Sequence, residues 1–205
     1  MAEEIEAKVR LDSPGAFRRR VQAAGGQPQG RVSEVNRLFD DAAGTLRRRG
    51  AALRVRQEYA FPAAPGRSQA APGRSPDGRA LRASLTYKGP QAEGPLKRRQ
   101  EIEAALDAAD AAIAILQAIG LSETFRYEKR RETWRLGPCE VTLDELPRLG
   151  HFAEVEGPNQ RAIRKALADL GLAQAPLIRD PYVALLEAHL KAAGLDPTRA
   201  VFGDE

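Results

Sequence analysis

The chain has 205 residues, 42% hydrophobic and 29% charged, with a net charge of +4 and a pI of about 9.4. This predicts a soluble globular chain with one substantial core, without a run approaching the ~20 apolar residues of a membrane span. The acidic start argues against a secretory leader, and the single Cys139 excludes an intrachain disulfide, so a reducing cytoplasm is expected.

Residues 4–11 alternate strictly: Glu4, Glu6, Lys8 and Arg10 on one side of an extended chain, Ile5, Ala7, Val9 and Leu11 on the other. Ser13-Pro14 then reads as an N-cap with proline at the first helical position, and Phe17 and Val21 mark the apolar face of a helix that stops at Gly25-Gly26. Strands follow over 31–40 and 51–59. The arginine runs 18–20 and 47–49 read as solvated faces. Residues 60–80 contain Ala-Pro-Gly-Arg-Ser twice and form a low-complexity insert within one domain. Strand patterns resume over 81–88 and 96–104. Asp107 is placed as the cap of a helix carrying Ile113, Leu116 and Ile119, closed by Gly120. Three more strands fall within 124–136, 140–144 and 152–156. Gly157-Pro158 is read as opening the next helix, and 181–193 as the last. One domain over 1–195 with a tail at 196–205 is expected, as an antiparallel α+β arrangement of eight strands.

The charged sides of these strands do not read as ordinary wet surface. Arg54 and Arg56 share a side, as do Lys97, Arg99, Glu101 and Glu103, then Lys129 and Arg131, then Glu154 and Glu156. Lys88 and Asp144 fall on the charged sides of their own strands. Like charges spaced i, i+2 repel on a solvated face, whose usual composition is mixed. Eight strands suffice to close a barrel with its apolar sides out, under the helices, and its charges in. Buried charge needs compensation, and a polyphosphate with Mg²⁺ supplies it: Arg and Lys for phosphate oxygens, carboxylates for metal. His151 and His189 lie far apart, so a metal would be carboxylate-held Mg²⁺ or Mn²⁺. Neither a Walker loop nor a Rossmann glycine motif is present, so side chains must bind the phosphate.

Glu4-Ile5-Glu6-Ala7-Lys8 resembles the ExExK signature of the CYTH, or triphosphate tunnel metalloenzyme, superfamily. Leu53-Arg54-Val55-Arg56, Thr86-Tyr87-Lys88-Gly89-Pro90, Arg99-Gln100-Glu101-Ile102-Glu103, Lys129-Arg130-Arg131, Leu143-Asp144-Glu145 and Gly150-His151-Phe152-Ala153-Glu154-Val155-Glu156-Gly157 follow in that family's order. The resemblance extends to Pro181-Tyr182-Val183-Ala184-Leu185-Leu186. It implies a closed eight-stranded antiparallel barrel whose lumen binds a triphosphate. By that resemblance Lys8, Arg54, Arg56, Lys88, Arg99, Lys129 and Arg131 grip phosphate. Glu4, Glu6, Glu101, Glu103, Asp144, Glu154 and Glu156 hold Mg²⁺ or Mn²⁺, and Glu4, Glu6 and Lys8 serve catalysis. Some members use a further C-terminal basic residue, for which Arg179 and Lys191 are candidates.

The superfamily includes thiamine triphosphatases, inorganic triphosphatases, RNA triphosphatases and class IV adenylate cyclases. Val35-Asn36-Arg37-Leu38-Phe39-Asp40 resembles an Asn-x-x-Phe-Asp pattern of the triphosphatase branches, which favours hydrolysis of a terminal phosphate over cyclisation of ATP. A non-catalytic binder of polyphosphate or RNA ends is the third reading. The expected partner is a small triphosphate, not nucleic acid or membrane, and a homodimer is compatible with the sequence.

Overall fold

The structure is a computed structural model that describes residues 2–61 and 80–203. The low-complexity insert falls outside the described residues over 62–79. Eight strands form the wall of a barrel: β1 (Ala2–Leu11), β2 (Gln27–Asp40), β3 (Ala52–Ala60), β4 (Arg82–Lys88), β5 (Lys97–Ala105), β6 (Ser122–Leu136), β7 (Cys139–Leu146) and β8 (Gly150–Glu156). They pair in the order β2-β3-β4-β5-β1-β8-β7-β6, and β6 returns to β2, which closes the ring with every pair antiparallel. A short β9 (Arg199–Ala200) lies parallel to β6, so the residues set apart as a tail include a strand, with Ala200 and Val201 buried.

Five helices accompany the barrel: α1 (Pro14–Ala23), α2 (Thr45–Arg48), α3 (Ala109–Ala118), α4 (Gln160–Asp169) and α5 (Tyr182–Ala192). Ser13 caps α1 by accepting from the Ala16 N–H at 3.3 Å. One expected cap and one expected helix start are corrected. The cap of α3 is Ala108 without a side-chain bond, one residue past Asp107. The cap of α4 is Asn159, whose Oδ1 accepts from the Ala162 N–H at 2.9 Å, beyond Gly157-Pro158. Gly157 serves packing instead: a Cβ there would lie 2.8 Å from Cys139 Sγ and 3.2 Å from Ile163.

Alternation sorts the apolar residues into three clusters. Ala7, Val9, Val141, Leu143, Ala153 and Val155 face outward and are covered by Phe17 and Val21 of α1 and Ile163 and Leu167 of α4. Phe39, Val55 and Ala83 face outward under Ile113 and Leu116 of α3. The third cluster is different. Phe125, Tyr127, Leu146 and Phe152 stand on the same faces as Lys129, Asp144 and Glu154, so they point inward, where Tyr182, Leu186 and Leu190 of α5 pack on them. One end of the barrel interior is thus a dry aromatic core capped by α5.

Candidate active site

The remainder of the interior is ionic. A cavity of about 250 Å³ is lined by eight cationic side chains and seven carboxylates. Two further carboxylates, Glu34 and Asp144, lie fully buried beside it. Lumen charge is therefore close to balanced, which is what burial demands of a barrel that folds without its ligand.

The deep part of the lumen is a tightly paired network. Asp144, fully inaccessible, accepts from Arg131 Nε at 2.7 Å and Nη2 at 2.6 Å, from the Tyr182 hydroxyl at 3.0 Å and from Lys129 Nζ at 3.4 Å. Glu154 accepts from Arg131 Nη2 at 2.6 Å and lies 3.3 Å from Lys8 Nζ. Burial opposes the charge on Glu154, but Lys8 and Arg131 hold its carboxyl well below the usual range. Lys8 also donates to the Asp180 carbonyl at 3.0 Å and lies over the Tyr182 ring, 3.9 Å from its centroid. Burial and the neighbouring Arg131 pull the Lys129 ammonium down to about 8.

The shallower part is looser. Lys88 Nζ donates to Glu4 at 2.8 and 2.9 Å and lies 2.8 Å from Glu101. Arg99 Nε donates to the same Glu4 at 3.1 Å, and Lys97 pairs with Glu6. Glu103, partly exposed, accepts from Thr86 at 2.9 Å and Ser84 at 3.3 Å. Glu6, Glu156 and Glu140 are register neighbours on β1, β8 and β7. Glu156 is exposed at this edge, and burial of part of its carboxylate together with the charges of Glu4, Glu140 and Glu6 raises it to about 7. Among the described residues, no three such side chains converge to hold a metal as they stand.

Arg54 stands apart. Its Nη2 donates to Thr86 Oγ1 at 3.3 Å, its Nε is buried without a hydrogen-bond partner, and among the described residues no carboxylate forms a salt bridge with it. Burial and the adjacent Arg56 lower its pKa, the signature of a cation short of negative charge.

A family model for the CYTH domain matches residues 2–170. The chain belongs to the CYTH domain family. It is 25% identical over 153 residues to a candidate adenylate cyclase of Methanocaldococcus jannaschii, covering 75% of each chain. Solved structures similar in fold include a candidate adenylate cyclase of Vibrio parahaemolyticus (TM-score 0.70, 23% identity, 89% of this chain and 97% of that one). Another is a Hippeastrum protein described as a candidate adenylyl cyclase with a dominant triphosphatase activity (TM-score 0.62, 18% identity, 94% and 97%).

Every residue that the CYTH resemblance assigns to the site reaches the lumen: Glu4, Glu6, Lys8, Arg54, Arg56, Lys88, Arg99, Glu101, Glu103, Lys129, Arg131, Glu154 and Glu156 line the cavity, with Asp144 directly behind. The two C-terminal basic candidates do not. Arg179 donates to the carbonyls of Gly94 and Ala92 and so ties down the β4–β5 loop, and Lys191 is exposed on α5. In the Asn-x-x-Phe-Asp pattern, Phe39 is core and Asp40 accepts from the N–H groups of Asp41, Leu46 and Arg47 at 2.8 to 3.0 Å, shaping the turn into α2. Asn36 faces the lumen, donating to Glu34 and accepting from Arg56 Nε, both at 3.2 Å.

Four lumen residues escape the sequence reading, Glu34, Tyr127, Glu140 and Tyr182, while Lys97 is placed on the charged side of its strand without a role. Lys97 and Glu140 carried a signal, because each is spaced by two from an assigned residue or its face-mate: Lys97-x-Arg99, and Glu140-x-Thr142-x-Asp144. Glu34 did not, since β2 carries Arg31 and Arg37 on its other face and the alternation is blurred. Yet Glu34 is 1% exposed, 3.2 Å from Lys129 Nζ, 3.3 Å from Arg56 Nε and 3.7 Å from Arg131 Nε. Those three cations hold its carboxyl far below the usual range against the cost of burial.

Proposed function

We propose that this chain hydrolyses the terminal phosphate of a short triphosphate, with inorganic triphosphate the best fit, in a reaction dependent on Mg²⁺ or Mn²⁺. The observation that carries this reading is Arg54, which among the described residues forms no carboxylate salt bridge and keeps its buried Nε without a hydrogen-bond partner, in a cavity lined by phosphate-type donors. Arg forms bidentate bonds to phosphate oxygens, and a phosphoryl group there would meet Arg56, Lys88 and Arg99 as well. Because the lumen is already close to neutral, a polyanion needs accompanying cations. The donor set suits a hard divalent ion: all carboxylate oxygen, with Glu156 raised to about 7 by negative neighbours that such an ion would relieve. Glu4, Glu6 and Glu156 would hold it, and when bound it supplies charge neutralisation on the phosphates.

The chain's own residues would do the rest. Arg54, Arg56 and Lys88 would orient the phosphates in line, Lys8, Lys129 and Arg131 would bear charge developing on the terminal group, and Glu4 or Glu6 would position the attacking water. The cavity of about 250 Å³ lies below the roughly 300 Å³ at which pockets for drug-sized ligands begin. Its two tyrosines, Tyr127 and Tyr182, are buried rather than presented for stacking on a base. Both features favour a compact substrate over the whole of ATP.

The name of the Methanocaldococcus relative supports a second reading, cyclisation of ATP to cyclic AMP and pyrophosphate. The test is product identification with tripolyphosphate, thiamine triphosphate and ATP in Mg²⁺ and in Mn²⁺. Orthophosphate from tripolyphosphate supports hydrolysis, cyclic AMP with pyrophosphate supports the second reading, and no product from any of them rejects both in favour of a binding protein.

A further inference from the structure

Glu6 and Lys97 are register partners across β1 and β5, on the inner face of the barrel. Both are nearly inaccessible, with side chains 6% and 5% exposed, and their charged groups are in direct contact. Among the described residues Lys97 is the one cation in salt-bridge range of Glu6. Glu4, the other carboxylate of the opening strand, is likewise held, by Lys88 and Arg99. An ion entering this lumen alone must displace an ammonium that is covalently tethered and already desolvated, and must leave that ammonium buried without its salt-bridge partner. That exchange is unfavourable on both counts. It becomes favourable when the incoming metal carries a polyanion, because phosphate oxygens then receive the displaced ammonium. Lys97 also acts electrostatically on Lys8, one of the phosphate-type donors, and on the carboxylate of Glu154.

We propose that Lys97 is a tethered cation that guards Glu6 against free divalent metal, so that metal loads only as its complex with a triphosphate. Lys97 is a positioning residue in this scheme, acting through Glu6. The inference rests on the triphosphate reading above, and the experiment separates the two.

Wild type, K97M and K97R are each titrated with Mn²⁺ in phosphate-free buffer, and free Mn²⁺ is read by electron paramagnetic resonance. Wild type and K97R are expected to bind weakly and alike, whereas K97M, which keeps the length but not the charge, should bind Mn²⁺ tighter by about tenfold or more. Equal affinity of K97M and wild type overturns the proposal. So does tight Mn²⁺ binding by wild type. Circular dichroism checks the fold of each variant, and K97Q, which keeps a donor for Glu6, carries the same comparison should K97M not fold. A separate arm measures the wild-type melting temperature with Mg²⁺ alone, tripolyphosphate alone and both. A rise only with both supports metal loading as the complex, and a rise with Mg²⁺ alone overturns it. Absence of any rise, with K97M still tighter for Mn²⁺, rejects the triphosphate reading while leaving the guard on Glu6 intact.

Discussion

The two ionic regions of the lumen are built from the same residue types and differ in completeness. Around Asp144, Glu154 and Glu34 every carboxylate touches more than one cation, and Asp144 also receives the Tyr182 hydroxyl of the capping helix. Around Arg54 and Glu156 the pairing is incomplete: among the described residues Arg54 forms no carboxylate salt bridge, and one carboxylate holds its proton to about 7. A closed network also serves as scaffold, whatever its cations do for a ligand, since removing one member strands the others. An open one is where a ligand completes the electrostatics. The same alternating strands produce both, so the motif alone does not separate scaffold from working site.

Breaking the deep region has the largest expected effect on folding. Asp144→Ala takes from Arg131 and Lys129 one of the two carboxylates they share, the other being Glu34, and should cost about 3–5 kcal/mol of stability, read by urea denaturation. A cost near that of an ordinary surface change would mean that the deep network is not structural. Arg54→Ala should do the opposite. Its stability should stay within about 1 kcal/mol of wild type, because an uncompensated charge is removed. Its affinity for tripolyphosphate with Mg²⁺ should fall by roughly 10- to 100-fold by calorimetry, the value of a charge-assisted contact. Unchanged affinity would place the phosphates elsewhere. Tyr182→Phe keeps the aromatic packing on Phe152 and loses one hydrogen bond to Asp144, so a loss of about 1 kcal/mol is expected in the same urea assay.

The two regions should also separate by pH. Glu154 has a depressed folded pKa, so its contribution to stability is present above its ordinary value of 4.5 and is lost as pH falls through the folded value. Glu156 has a raised one: its contribution is present below 4.5 and is lost as pH rises through about 7. Glu156→Gln should therefore flatten the slope of stability between pH 4.5 and 7 and leave the acid limb unchanged. A slope that persists in the variant would assign it to another group.

Much of this was legible in the residues. Strict alternation in β1, β3 and β5 places charge on one face and apolar groups on the other, and the doubled charges point inward. Three features were not legible, each for a physical reason. Glu34 lies on a strand with charge on both faces, so period two does not choose between them. The apolar stripe of α5, with Leu186 and Leu190, looks like that of any helix on an outer wall, and only closure of the ring shows that it stoppers the interior. The β9 pairing rests on two residues, too short for any periodicity. The residues assigned to the lumen from the sequence already balance, seven cations against seven carboxylates, and Lys97, Glu34 and Glu140 keep it nearly neutral, which is why the metal and the triphosphate are expected to arrive together.

The central claim is tested most directly by phosphorus NMR of tripolyphosphate incubated with the protein and Mg²⁺. The account predicts loss of the tripolyphosphate resonances with matched growth of pyrophosphate and orthophosphate, slowed roughly 10- to 100-fold in Arg54→Ala at substrate concentrations below saturation. A tripolyphosphate spectrum that stays unchanged in position, width and intensity, with Mg²⁺ and with Mn²⁺, would contradict it.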